Sequence, residues 1–102
     1  MAIEYVVRCV CENDEICARM ERWLLDGHLA DVVAAGALRA DLVRFDDARL
    51  VLDVRYRFAD REAFAAYERD EAPRLRAEGR HLFPPPGVRF ERRVGDVLGG
   101  RP

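Results

Sequence analysis

The order in which two hydrophobic periods alternate along the chain constrains its fold more than any other feature. Residues 3–11 repeat at every second position, with Ile3, Tyr5, Val7, Cys9 and Cys11 on one face and Glu4, Val6, Arg8 and Val10 on the other. Successive side chains of an extended backbone point to opposite faces, so period two with β-branched residues specifies a strand. The period then changes. Asn13 is placed to cap a helix, with Asp14 and Glu15 in the first turn where the helix dipole favours negative charge. Ile16, Met20, Trp23 and Leu24 follow at i, i+4, i+7 and i+8 and form one apolar stripe. Gly27 is expected to stop this helix, and a short second piece, Leu29 to Ala35, to end at Gly36.

Period two returns twice. Leu38, Ala40 and Leu42 oppose Arg39, Asp41 and Val43 in residues 38–45. Leu50, Leu52, Val54, Tyr56 and Phe58 oppose Val51, Asp53, Arg55 and Arg57 in residues 50–58. The short polar link Asp46-Asp47-Ala48-Arg49 joins these strands as an antiparallel hairpin. Asp60 caps a helix carrying Phe64 and Tyr67, and Pro73 should end or kink it near residue 71. A further helical piece, Pro73 to Glu78, is expected to stop at Gly79. The stiff Pro84-Pro85-Pro86-Gly87 connector then leads into a last strand, Val88 to Leu98. The resulting order, β-α-β-β-α-β, is the ferredoxin-like α+β arrangement, a four-stranded antiparallel sheet with its helices on one face. No repeat and no internal linker interrupts it, so residues 1–102 read as one domain with an ordered core of about 3–98.

The missing residue types remove whole chemistries. All 17 basic side chains are Arg, and Lys, Ser, Thr and Gln are absent. A serine nucleophile, a lysine Schiff base and a lysine phosphate loop are therefore excluded. Acid–base chemistry is left to Cys, His, Asp, Glu and Tyr, with Arg as an anion clamp. A net charge of −2 gives no basic footprint for nucleic acid. No apolar run is long enough to span a membrane, and the first residues have no continuous apolar signal region. Three cysteines, an odd number, suit a reducing cytoplasm rather than a disulfide framework. No cofactor-binding motif is present, and no cofactor is expected.

The predicted outer face of the sheet is mixed. It displays Glu4, Arg8, Arg39, Asp41, Asp53, Arg55, Arg57, Arg89, Glu91 and Arg93, interspersed with Val6, Val10, Val43, Phe45 and Val51. Opposite charges on neighbouring strands can pair, and a patch holding both signs among apolar residues suits a self-complementary two-fold interface. A homodimer through this face is expected.

Several segments resemble one family. Tyr5-Val6-Val7, Asp26-Gly27-His28-Leu29-Ala30-Asp31-Val32 ending at Ala35-Gly36, and above all Ala72-Pro73-Arg74-Leu75-Arg76-Ala77-Glu78-Gly79 are similar to the small bacterial DUF4286 family. The resemblance runs over about residues 3–98 and implies a dimeric α/β barrel, in which two such sheets pack face to face. It carries no catalytic assignment. The chain departs from the family at Gly27 and Ala30, where members commonly have an acidic residue and a proline.

Each candidate residue has a functional and a plainer reading. His28 and His81 are the candidate catalytic bases, or haem ligands, since imidazole titrates near neutrality and binds iron; either could equally serve a helix terminus. Tyr5, Tyr56 and Tyr67 fall on the core side, where the two strand tyrosines and the helix tyrosine could line a ligand pocket, with Tyr56 and Tyr67 as its binding residues, or be packed with their hydroxyls satisfied. Arg8 and Arg55, with Arg57, could clamp a carboxylate or phosphate, unless Glu4, Asp41, Asp53 and Glu91 neutralise them across the dimer. Cys9, Cys11 and Cys17 match no standard metal-site spacing and read as buried small hydrophobes, so no metal site is assigned. Arg74, Arg76 and Arg80 read as a solvated helix face beside Glu71 and Glu78. Two functions follow: a homodimeric module that binds a small ligand or a partner, or a cofactor-free enzyme of the barrel type, monooxygenase- or isomerase-like, acting on a small aromatic or acidic metabolite.

Overall fold

In the computed structural model, which describes residues 1–102, β1 (Ile3–Cys11) lies at the centre of the sheet between β3 (Val51–Phe58) and β4 (Val88–Asp96). The short β2 (Arg39–Val43) pairs with the other edge of β3, giving the antiparallel order β2-β3-β1-β4. Helices α1 (Asp14–Trp23) and α2 (Leu29–Ala34) connect β1 to β2, and α3 (Arg61–Asp70) and α4 (Ala72–Leu82) connect β3 to β4. The fold is ferredoxin-like. No helix is long and apolar enough to cross a membrane.

Alternation along the strands sets the core. Ile3, Tyr5, Cys9 and Cys11 of β1 are buried, as are Leu52, Val54, Tyr56 and Phe58 of β3. Met20, Leu24, Val32, Phe64, Tyr67 and Leu75 meet them from the helices. Tyr5, Phe58, Phe64 and Tyr67 form an aromatic cluster; the Phe58 and Phe64 rings meet edge to face at 5.2 Å, a geometry the ring quadrupole favours. Helix starts follow the cap residues. Asn13 Oδ1 accepts the Ile16 N–H at 2.9 Å, and Asp60 Oδ1 accepts the Ala63 N–H at 2.8 Å. Pro73 sits in the first turn of α4, where its missing N–H leaves no bond unmade.

Two of the three glycines expected to stop helices, Gly27 and Gly79, lie inside them instead. At Gly27 the backbone widens into a π turn, Leu24–His28, in which the Leu29 N–H reaches back five residues to the Leu24 carbonyl. Helical propensity disfavours glycine, but burial of Leu24, Leu29 and Val32 against the core outweighs that local preference. The helical run ends at Gly36, whose φ of +134° suits only glycine and lets the Ala37 N–H bond to the Val32 carbonyl. At Gly79 the helix continues to Leu82, and the buried glycine faces Trp23 and Phe90 with room for an ordinary contact. The strand ends are also shorter than expected: β2 stops at Val43, leaving Phe45 half-exposed in the following turn, and β4 stops at Asp96.

Candidate functional site

A cleft opens between the helices and the sheet. It is lined by Tyr5, Val7, Cys9, Met20, Trp23, Leu24, His28, Val54, Tyr56, Tyr67, Leu75, Arg76, Gly79, Phe90 and Arg92. Counted to its mouth the unoccupied space is about 420 Å³, of which about 40 Å³ accepts the centre of a water molecule. That interior has room for roughly three waters, so anything larger must displace a side chain at the mouth.

The π turn positions His28. Residues five apart on an ordinary α-helix diverge by about 140° around its axis, yet Trp23 and His28 stack here with ring centroids 4.1 Å apart. The wider turn brings the two rings over each other, and π turns recur at functional sites. His28 is half-buried and its Nδ1, fully buried, has no hydrogen-bond partner. Burial holds its pKa below the ordinary 6.5 while Glu78 and Asp31 pull the other way, so at neutral pH the ring is uncharged and able to accept a proton.

Arg76 enters from α4. Its Nη2 donates to the Tyr5 hydroxyl at 3.0 Å and pairs with Glu68 at 2.8 Å, whereas its buried Nε has no partner. Burial opposes its charge, but Tyr5 and Glu68 outweigh burial and hold Arg76 above its usual value. Arg92 enters from β4, opposite Val7 in register, with its guanidinium 5.6 Å from the centre of the Phe90 ring and no carboxylate paired with it. Tyr56 and Tyr67 form part of the floor. Burial raises both phenols, Tyr67 to about 12, so neither ionises near neutrality.

The opposite face of the sheet holds the other candidates. Arg8 donates Nε to Asp53 Oδ1 at 2.9 Å and Nη2 to Oδ2 at 3.2 Å, across the direct register pair Arg8↔Asp53. Arg55 and Arg57 both reach Glu4, Arg39 pairs with Asp41, and Arg89 with Glu91. These carboxylates neutralise the arginines within one protomer, where pairing across a dimer was expected. Arg93 alone on this face has no partner among them. Burial raises the Glu4 pKa, but the bonds from Arg55 and Arg57 outweigh it and leave the carboxyl lowered.

The predicted residues therefore separate. His28, Tyr56 and Tyr67 meet in the cleft; Arg8 and Arg55 lie on the far side of the sheet, engaged by carboxylates. His81 is exposed in the last turn of α4 and does not line the cleft. Cys9, Cys11 and Cys17 are free and buried, and burial pushes Cys9 and Cys11 up to about 12. No three His, Cys, Asp or Glu side chains are grouped to hold a metal ion. Arg76 corrects the reading of a solvated helix face: it turns inward, while Arg74 and Arg80 stay exposed. Arg92 was missed altogether, although it stands in phase with Val88 and Phe90, a charge on the core-facing side of a strand. Arg76 likewise shares the inward stripe of Ala72, Leu75 and Gly79.

No family model matches the chain, and no curated protein matches it. Solved structures do. A dimeric ferredoxin-like protein from an uncultured marine organism aligns over 98% of both chains with 12% identity and a TM-score of 0.78. SnoaB, a cofactor-independent oxygenase from Streptomyces nogalater, aligns over 99% of this chain and 97% of its own, with 16% identity and a TM-score of 0.73. Rv0793 from Mycobacterium tuberculosis aligns over 98% of both chains, with 20% identity and a TM-score of 0.68. At these identities the likeness is one of fold.

Proposed function

We propose that the chain is a homodimeric ligand-binding module in which each protomer holds a small molecule in the cleft between helices and sheet. One observation carries this reading: His28 and Arg76, in the lining of a mainly hydrophobic cleft, each keep a buried polar atom, Nδ1 and Nε, without a partner on the protein. An unmatched buried polar atom costs about 1–3 kcal/mol, and a ligand bonding to either atom recovers part of it. Convergent polar groups in an apolar cleft are the usual make-up of a small-molecule site.

The dimer is supported by the outer face. Val6, Val10, Val43 and Val51 are only partly covered there. The arginines among them already carry their counter-charges, so two faces can approach without burying most of these charges unpaired. Proteins of the same fold are described as dimeric. The likeness to the DUF4286 family belongs to the same proposal and is consistent with it.

A screen of single-ring aromatic metabolites tests the binding reading. The expected result is a compound that both raises the melting temperature and changes the fluorescence of Trp23, the one tryptophan of the chain and a wall of the cleft. Thermal shifts that leave Trp23 unchanged place the site elsewhere and overturn the reading.

A second reading, a cofactor-free enzyme, is favoured by the uncharged His28 with its free Nδ1 beside the Trp23 ring. The fold-level likeness to a cofactor-independent oxygenase accords with it. In that case His28 is the base. His28→Ala then abolishes turnover of a bound compound while leaving its affinity within a few fold; turnover that survives removes the assignment.

A further inference from the structure

We infer that the cleft is built to take an anion, and specifically a planar aromatic carboxylate whose ring lies between the aromatic walls and whose carboxylate bridges Arg76 and Arg92. This rests on the proposed reading of the cleft as a ligand site and adds its chemical class. The lining includes two arginines and no aspartate or glutamate. Glu68, outside the lining, answers Arg76, and nothing answers Arg92. With His28 uncharged, the cleft carries one positive charge in excess.

The rest of the molecule sharpens the contrast. Most of its 17 arginines are tied to a carboxylate, including almost every one on the outer face of the sheet. Arg19, without a carboxylate, lies over the Phe83 ring. Arg92 borders the cleft without an ion-pair partner, and no carboxylate lines that cleft, whereas the unpaired Arg93 on the outer face lies among Glu4, Glu91 and Asp96. Arg92 is exposed and is approached only by the Phe90 ring, so its donors are free to meet an anion at the mouth of the cleft.

The donors also select the group. Both polar bonds of Arg76 leave from Nη2, so its buried Nε keeps one N–H without a partner. A carboxylate matches this with two oxygens: one takes the Arg76 Nε–H, and the other takes the Arg92 fork. Trp23, Tyr5, Tyr56 and Phe90 supply flat apolar surface for a ring. A phenolic hydroxyl on that ring has a partner in His28 Nδ1.

The test is a titration of the full chain, followed by Trp23 fluorescence, with 4-hydroxybenzoate and with its neutral counterpart 4-hydroxybenzamide. The carboxylate is expected to bind about tenfold tighter, the ratio one charge-assisted hydrogen bond supplies. Arg92→Gln should abolish most of that preference, bringing the two affinities together, and Arg80→Gln, on the exposed side of α4, should leave the preference intact. Equal affinities for the two compounds in the unaltered protein overturn the anion inference and leave the cleft reading standing. A preference that survives Arg92→Gln overturns the role of Arg92. Failure of both compounds to bind at millimolar concentration overturns the inference, and the screen of aromatic metabolites then decides the cleft reading.

Discussion

Gly79→Ala places one methyl group where α4 borders the cleft, and the structure fixes the sign of two effects. An added Cβ would lie 3.5 Å from Trp23 Cη2 and 3.9 Å from Phe90 Cζ, ordinary contact distances with no backbone in the way. Position 79 is inside a helix that continues to Leu82, so the substitution recovers the propensity that glycine forfeits there, about 1 kcal/mol. No clash offsets that gain. For a domain of this size 1 kcal/mol raises the melting temperature by roughly 4–8 °C, which scanning calorimetry resolves easily. The same methyl narrows the cleft beside Trp23, so affinity for 4-hydroxybenzoate should fall while stability rises. Such opposition is the usual mark of a site kept open at the expense of packing. A lowered melting temperature would refute the spacing of α4 against Trp23. A raised melting temperature with unchanged affinity would refute the placement of the ligand beside Gly79.

Three other perturbations follow from the same geometry. Arg8→Met leaves the buried Asp53 carboxylate without its ion partner and should lower the urea midpoint, whereas Arg8→Met combined with Asp53→Leu should restore most of it, because an apolar pair needs no counter-charge; additive losses in the double variant contradict this. Gly36→Ala should destabilise by about 1–3 kcal/mol, since its φ of +134° is strained for any L side chain while Phe58 at 3.9 Å presents no clash; a neutral result in urea unfolding refutes the cap. For His28, the unfolded ring protonates near 6.5 and the buried ring only at lower pH. The unfolded state therefore binds more protons in that interval, and stability should decline as pH falls below about 6.5. Urea unfolding of His28→Phe should lack this part of the decline; identical pH slopes for the two proteins would refute burial as the controlling influence.

The sequence made the sheet legible because each strand has one buried face. The alternation of Ile3, Tyr5 and Cys9, and of Leu52, Val54, Tyr56 and Phe58, is dictated by burial and reappears directly in the structure. Asn13, Asp60 and Pro73 act through bonds within a few residues, so their roles as caps and breaker were equally readable. Gly27 and Gly79 were misread because a glycine's helical preference is local while its placement here is decided by packing. Gly79 continues the buried face of Ala72 and Leu75, and its neighbour there is Trp23, 56 positions away in the chain. The site was half legible for the same reason. Tyr56 and Tyr67 were placed by their periods, and His28 by its chemistry, but only the π turn brings His28 over Trp23. Strand alternation puts Arg8 and Arg55 on the opposite face, and there the structure engages them with Asp53 and Glu4. Arg92 could have been found by the complementary rule, that a charge in the inward phase of a strand needs a reason to be there.

The most direct test of the cleft as a ligand site is a high-resolution crystal structure of the full chain grown with 4-hydroxybenzoate. The expected result is a ring between Trp23 and Tyr56, its carboxylate on Arg76 Nε and the Arg92 guanidinium. A cleft in which ordered waters alone satisfy His28 Nδ1 and Arg76 Nε, with no ring bound, would contradict it and reduce the cleft to a hydrated part of the core.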